Sequence, residues 1–285
     1  MAVHNFGNSS LRNKSEKTKK YIQLCNEKIK EDQNNFQAYC EQGYNYLAIK
    51  DHKKAKEMFE KAIKINPKCW LAYSELAFIS LRMGEKEEAK KYALIAAQND
   101  NFNGLLISGT LSMDENIDES LKFFHRALGI NDKNPVLWER IAKAFAKKGL
   151  AGRAIVAYNT ANELAPKASN YVEAGFLLVN KALYENALEY FDKAIELEKN
   201  HKAFYGKAIC FIALEKNEEA IYCLKTSLGI KESIIALDAL SKIYIVKNNF
   251  EEAKLLLERI LQLDPNHKDA KHNLDQIEKL QQSKV

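Results

Sequence analysis

The residues of this 285-residue chain best suited to attack a carbonyl, shuttle a proton or hold a metal are its six histidines and five cysteines, and their spacing limits what they can do. His267 and His272 stand five apart beside Asp264, a spacing that does not put two imidazoles on one helical face. His125 directly follows Phe124 and reads as an edge or surface residue. Cys25, Cys40, Cys69, Cys210 and Cys223 are odd in number and contain no C-x-x-C, which argues against a disulfide framework and against a structural zinc site. They read as reduced packing thiols, with Cys25 and Cys210 inert among apolar neighbours. None of the spacings G-x-x-x-x-G-K, G-x-G-x-x-G, H-E-x-x-H or G-x-S-x-G occurs. The expectation is a protein with no catalytic residue, no cofactor and no metal, so its function must come from the elements that carry its side chains.

Those elements repeat. Small residues stand at Ala55, Ala89, Ser120, Ala154, Ala187, Ala220 and Ala253, at intervals of 34, 31, 34, 33, 33 and 33. Four residues after each of these rungs comes a large apolar group (Phe59, Phe124, Tyr158, Phe191, Leu224, Leu257), except at Ala93. Seven after comes Ala62, Ala96, Ala127, Ala161, Ala194, Ser227 or Ile260. Offsets of 0, +4 and +7 share one face of an α-helix, so each rung marks a helix B whose small residues allow close approach. Twelve residues before every rung stands another small residue (Gly43, Ala77, Ser108, Ala142, Gly175, Ala208, Ser241), which marks a helix A. Short polar connections such as IKDH, RMGE, KKGL, EKNE and KNNF join the two into an antiparallel hairpin. Pro67, Pro166 and Pro265 each stand twelve after a rung, where a proline stops helix B and re-aims the chain.

A fixed period of this kind overrides the length prior of about two globular domains. The expected order is a disordered basic tail over 1–15 and a capping helix over 16–35, in which Tyr21, Ile22, Cys25 and Ile29 lie on the first hairpin. Repeats follow over 36–69, 70–100, 101–134, 135–167, 168–200, 201–233 and 234–267, then a C-terminal capping helix and tail over 268–285 with Ala270, Leu274 and Ile277 on one face. Repeat three is three residues short, has Gly104 where its neighbours have Tyr or Trp, and adds Gly109, so its helix A is expected to be the weakest element.

The pattern resembles the tetratricopeptide repeat family. Repeat four carries nearly all of that family's motif in Trp138, Ile141, Ala142, Phe145, Gly149, Ala154, Tyr158, Ala161 and Pro166. The 35-residue RNA-reading helical repeats are the nearest alternative, but the spacing never reaches their period. The resemblance implies an all-α, right-handed α-solenoid superhelix of about seven antiparallel hairpins with capping helices at both ends. It also implies a partner-binding groove lined by helix A at the positions 18, 15, 11 and 8 before each rung. Those positions and their neighbours select Tyr44, Leu47, Phe78, Arg140, Lys143, Lys147, Phe176, Val179, Lys202, Tyr205, Ile209 and Lys242, an apolar lining with a basic centre. Cys40 and Val172 fall on the same positions. The Lys/Asn clamp for a terminal carboxylate, known in the family, is absent, since repeat one offers Cys40 and Tyr44. The family's asparagine ladder is absent too, since Glu41, Glu75, Leu106, Arg140, Glu173, Gly206 and Ala239 occupy its places.

Composition is consistent with this reading. The chain is 46% hydrophobic and 28% charged with 4 Pro and 11 Gly, enough apolar material for a continuous core. Lys alternates with Glu along most helices and the net charge is only +5, a poor basis for binding nucleic acid. The basic arm from Arg12 to Lys20 reads as a solvated terminus. MAVHNFGNSSLRNK lacks a signal-peptide core, and Gly104 to Met113 is too short to span a bilayer, so a cytoplasmic location without integral membrane association is expected and the sequons at Asn8 and Asn13 are chance matches. The function expected is a scaffold or adaptor that holds a protein partner, an amphipathic helix or extended peptide with apolar anchors and acidic residues. The alternative is a regulatory or assembly subunit, homo-oligomers included, that docks through its convex face.

Overall fold

A computed structural model describes residues 6–282, with side chains described over 17–281. It divides into two compact units, Met1–Lys133 and Asn134–Val285. All regular structure among the described residues is helical.

The first unit holds α1 (Phe6–Glu31), α2 (Phe36–Ala48), α3 (His52–Ile65), α4 (Trp70–Met83), α5 (Lys86–Gln98), α6 (Phe102–Ser112) and α7 (Ile117–Ile130). Three hairpins form by packing α2 on α3, α4 on α5 and α6 on α7, and successive hairpins meet through α3 with α4 and α5 with α6. The second unit holds α8 (Pro135–Lys147), α9 (Ala151–Leu164), α10 (Ala168–Val179), α11 (Tyr184–Leu197), α12 (His201–Ala213), α13 (Asn217–Ile230), α14 (Ile234–Val246), α15 (Phe250–Leu263) and α16 (Lys268–Gln282). Here four hairpins stack and α16 closes the end against α15.

The rungs are where the helices touch. Ala55, Ala89, Ser120, Ala154, Ala187, Ala220 and Ala253 are all 0% exposed, and the residues four and seven after them are buried as well. Phe59, Phe124 and Phe191 need their small partners on helix A: a Cβ on Gly43 would stand 2.7 Å from the Phe59 ring, and one on Gly175 2.7 Å from the Phe191 ring. Such spacing excludes any larger side chain without repacking.

Each helix A except α6 ends in a left-handed residue five positions before the rung: Lys50, Gly84, Gly149, Ala182, Glu215 and Asn248 all have positive φ. The next backbone N–H then reaches back to helix A, as in Leu183 N to Leu178 O at 3.0 Å and Leu150 N to Phe145 O at 2.9 Å. This six-to-one bond satisfies a helix-end carbonyl and sets the hairpin's turn. At the helix starts, Asn35, Asp51, Asn101, Asn116, Asn134 and Asn200 accept backbone N–H groups through their side chains.

Three expectations need revision. Gly104 is not simply a missing aromatic: it is buried, and a Cβ there would stand 2.5 Å from Ala96 Cβ, so the glycine lets α6 lie directly on α5. In the same repeat Gly109, not Ser108, faces the large rung partner, with Phe124 2.5 Å from where its Cβ would be. At the N-terminus α1 starts at Phe6, inside the segment read as a disordered tail, while residues 1–5 of that tail lie outside the described residues. Cys25 is buried by α2, Ile22 and Ile29 are partly covered, and Tyr21 is 48% exposed. In α16, Ala270 and Ile277 are fully buried and Leu274 packs beside them.

Candidate functional site

In the second unit the helices A present one face formed by α8, α10, α12 and α14. They are aligned because each is locked to its own helix B by a rung. On α10, Phe176 stacks edge-on against the buried Phe191, with centroids 5.2 Å apart, and meets Tyr205 of α12 at 6.4 Å. Tyr205 is the hinge between two clefts. One, of about 430 Å³, is lined by Glu173, Phe176, His201, Lys202, Tyr205 and Ile235. The other, of about 360 Å³, is lined by Tyr205, Ile209, Ile212, Ile235, Asp238 and Lys242. Ile235 borders both and is 63% exposed. Aromatic and branched aliphatic walls with a few polar groups are the usual make-up of a ligand-binding concavity.

The charges divide into paired and unpaired. Lys242 Nζ lies 2.7 Å from Asp238 Oδ2 one turn earlier on α14, so it is a member of an ion pair and not a free cation. Asp238 lines the second cleft, and its Oδ1 is buried with no hydrogen-bond partner among the described residues. Burial pushes the Tyr205 hydroxyl up, with Asp238 adding to the effect and Lys242 opposing it. Burial, then the fields of Lys231 and Lys202, holds His201 below the ordinary histidine range. On α8, Glu139 is taken up by Lys167 Nζ at 3.0 Å and by the buried Asn170 at 3.4 Å. Arg140 and Lys143 on the same helix, and Lys202 on α12, engage no side-chain partner among the described residues. Lys147 is exposed at the last position of α8.

The first unit carries the other aromatic candidates. Tyr44 of α2 donates to Glu75 Oε1 of α4 at 3.1 Å and sits edge-on to Phe59 at 5.3 Å. Phe78 is 44% exposed on α4, and Leu47 is half-buried. Burial raises Glu75, and the Tyr44 hydrogen bond works against that.

The structure thus brings Phe176, Lys202, Tyr205, Ile209 and Lys242 to one pair of clefts, with Val179 half-buried at the end of α10. Arg140, Lys143 and Lys147 lie on α8, and Tyr44, Leu47 and Phe78 in the other unit. Cys40 and Val172 are buried core residues rather than lining. His201 and Ser233 of the Phe176 cleft were not singled out by spacing. They stand 19 and 20 before their rungs, just outside the first position that the repeat pattern marks.

A family model described as tetratricopeptide repeat matches residues 36–69, 168–201 and 236–267. Among curated relatives, the human protein O-mannosyl-transferase TMTC3 is 26% identical over 236 residues, which is 77% of this chain and 25% of that protein. The chain therefore spans about a quarter of the length of that relative. Among solved structures, a chain of the APC/C hetero-tetramer Cut9–Hcn1 aligns with TM-score 0.61 at 19% identity, over 81% of this chain and 46% of that one. YrrB, described as a TPR protein with an unusual peptide-binding site, aligns with TM-score 0.55 at 21% identity, over 64% of this chain and 97% of that one. No helix among the described residues is long and apolar enough to cross a membrane.

Proposed function

The chain belongs to the tetratricopeptide repeat family, and from that premise we propose that it is a non-catalytic adaptor that holds a segment of a protein partner along its helix-A face. The observation that carries this reading is the pair of clefts that share Tyr205 and Ile235. At about 360 and 430 Å³ each has room for an apolar side chain, and adjacent anchors on a helix or an extended strand would fill both. Arg140, Lys143 and Lys202, for which no ion pair is found among the described residues, favour a partner with acidic residues beside its apolar anchors. Nucleic acid is disfavoured by the interleaved charges and the net +5, and a cytoplasmic location is the compartment we propose. YrrB, by its description, binds peptide, which is support by likeness of fold. Affinity capture with the whole chain, repeated with Tyr205→Ala, tests the reading: partners that depend on Tyr205 support it, and an unchanged set of partners opposes it.

A second reading is favoured by a separate observation. Two residues after the rung, Val156, Tyr222 and Leu255 on α9, α13 and α15 are 64%, 69% and 62% exposed at equivalent positions. Outward apolar side chains at these positions, adjacent on α13 and α15 and separated from Val156 by Glu189 of α11, suit docking of an assembly subunit, or a second copy of the chain, on the helix-B side. A mass in light scattering that rises with concentration and falls in Tyr222→Ser would favour it.

A further inference from the structure

Cys40 lies in the middle of α2, and Cys69 is the N-cap that immediately precedes α4. Their Sγ atoms are 3.7 Å apart across 29 residues of sequence, and both side chains are nearly covered, at 6% and 7% exposure. This is the one sulfur-to-sulfur contact among the five free cysteines of the described residues. We propose that Cys40 and Cys69 form a redox pair that closes to an intramolecular disulfide in the presence of hydrogen peroxide, covalently joining the first hairpin to the second.

The geometry favours closure. A disulfide needs its sulfurs about 2.05 Å apart, so the two must approach by less than the width of one atom. The Cys69 thiol makes no side-chain capping bond at the start of α4, and Cys69 stands just after the short turn that holds Pro67. Cys40 is held by α2 and by the core formed by Phe59, Ala72 and Leu76. The partner for a sulfenic acid is therefore already in place, which is what separates a reversible disulfide from overoxidation.

The chemistry balances with peroxide as the two-electron oxidant. Burial, together with the neighbouring Cys69, pushes the Cys40 thiol up to about 12. Oxidation can begin at either sulfur with the same balance of atoms, here at Cys69. Its thiolate attacks one peroxide oxygen, an S–O bond forms, the O–O bond breaks, and the departing hydroxide leaves as water with the proton that Cys69 released. The Cys40 sulfur then attacks the sulfur of the Cys69 sulfenic acid. The S–S bond forms, the S–O bond breaks, and the hydroxyl leaves as a second water with the Cys40 proton. Two thiols lose two electrons and one peroxide becomes two waters.

The consequence is mechanical. One turn beyond Cys40 on α2 is Tyr44, which donates to Glu75 of α4, so the cross-link fixes the same pair of helices that this hydrogen bond spans. Treatment of the whole chain with hydrogen peroxide, followed by non-reducing peptide mapping, tests the proposal. The expected result is loss of the mass of two hydrogens and a cross-linked peptide that pairs Cys40 with Cys69, both reversed by dithiothreitol. Amide exchange in α2 and α4 should slow by roughly tenfold or more on oxidation, the low end of what a loop-closing disulfide supplies. Cys69→Ser should show neither change. Cysteines that stay alkylatable after peroxide, a gain of one or more oxygens without a cross-link, or a bridge that pairs other cysteines or two chains would each overturn it. The map of the unmutated protein decides the matter even if the variant folds poorly.

Discussion

The ring of Phe191 lies so close to Gly206 that no methyl group fits between them, and it also presses on Gly175, where an added Cβ would stand 2.7 Å from the ring. One aromatic on α11 is thus clamped between two glycines, one on its own hairpin's helix A and one on the next. This contact joins hairpins within the second unit and also seats Phe176, which stacks edge-on against the same ring.

Gly206→Ala should therefore destabilise the protein by about 1–3 kcal/mol, since overpacking forces the ring or the helix aside. Gly229, in α13, has nothing within 4 Å of where its Cβ would be. Gly229→Ala should instead be neutral or stabilising by about 0.5–1 kcal/mol, because alanine loses less chain entropy in a helix. Urea unfolding of both variants checks the pair, and equal effects would mean that Phe191 is not clamped.

The left-handed turns lead to a second prediction. Ala182 holds φ at +56 between α10 and α11, a conformation that costs a side-chain-bearing residue about 1–2 kcal/mol, while Gly149 fills the equivalent place without that cost. Ala182→Gly should gain about 0.5–1 kcal/mol after the larger unfolded-state entropy of glycine is subtracted, and Gly149→Ala should lose a similar amount. Thermal unfolding with both variants less stable than the parent would contradict this account of the turn.

The regular parts of this architecture were legible in the sequence because close packing leaves only small residues at the rungs. Ala154 and Ala220 are fully buried where the 33- and 34-residue period puts them. Turn conformation was less legible: Lys50, Ala182 and Glu215 adopt positive φ with no glycine to announce it, because the six-to-one hydrogen bond imposes it. Gly104 read as a lost aromatic, because a deletion and a close helix contact look alike without the neighbouring chain; Ala96 supplies the reason for it. The positions that the family resemblance marks include Phe176, Tyr205 and Ile209, which line the two clefts, but they could not show that Lys242 is paired with Asp238 or that Cys40 and Val172 are core. Pairing and burial at a repeated position depend on what the adjacent repeat happens to carry.

A third prediction concerns pH. Burial raises Glu75 above its ordinary value of 4.5, so protonation favours the folded state. Its contribution is fully present below about pH 4.5 and is lost as pH rises through the higher folded value. Glu75→Gln keeps an acceptor for Tyr44 and removes the charge. Its Tm should match the parent in acid and exceed it increasingly as pH is raised towards neutrality, and a difference that stays constant across that range would contradict the assignment.

The central claim is that the helix-A face of the second unit holds a partner segment, and isothermal calorimetry with a captured partner tests it most directly. Tyr205→Ala removes the wall shared by both clefts, and Tyr222→Ala removes an exposed aromatic on the opposite side of the same hairpin. The account predicts that Tyr205→Ala weakens binding by about tenfold or more at both low and high salt, since an apolar anchor is little screened. Lys143→Ala should weaken binding chiefly at low salt, and Tyr222→Ala should leave it unchanged. Full affinity in Tyr205→Ala together with loss in Tyr222→Ala would contradict the account and move the interface to the helix-B side.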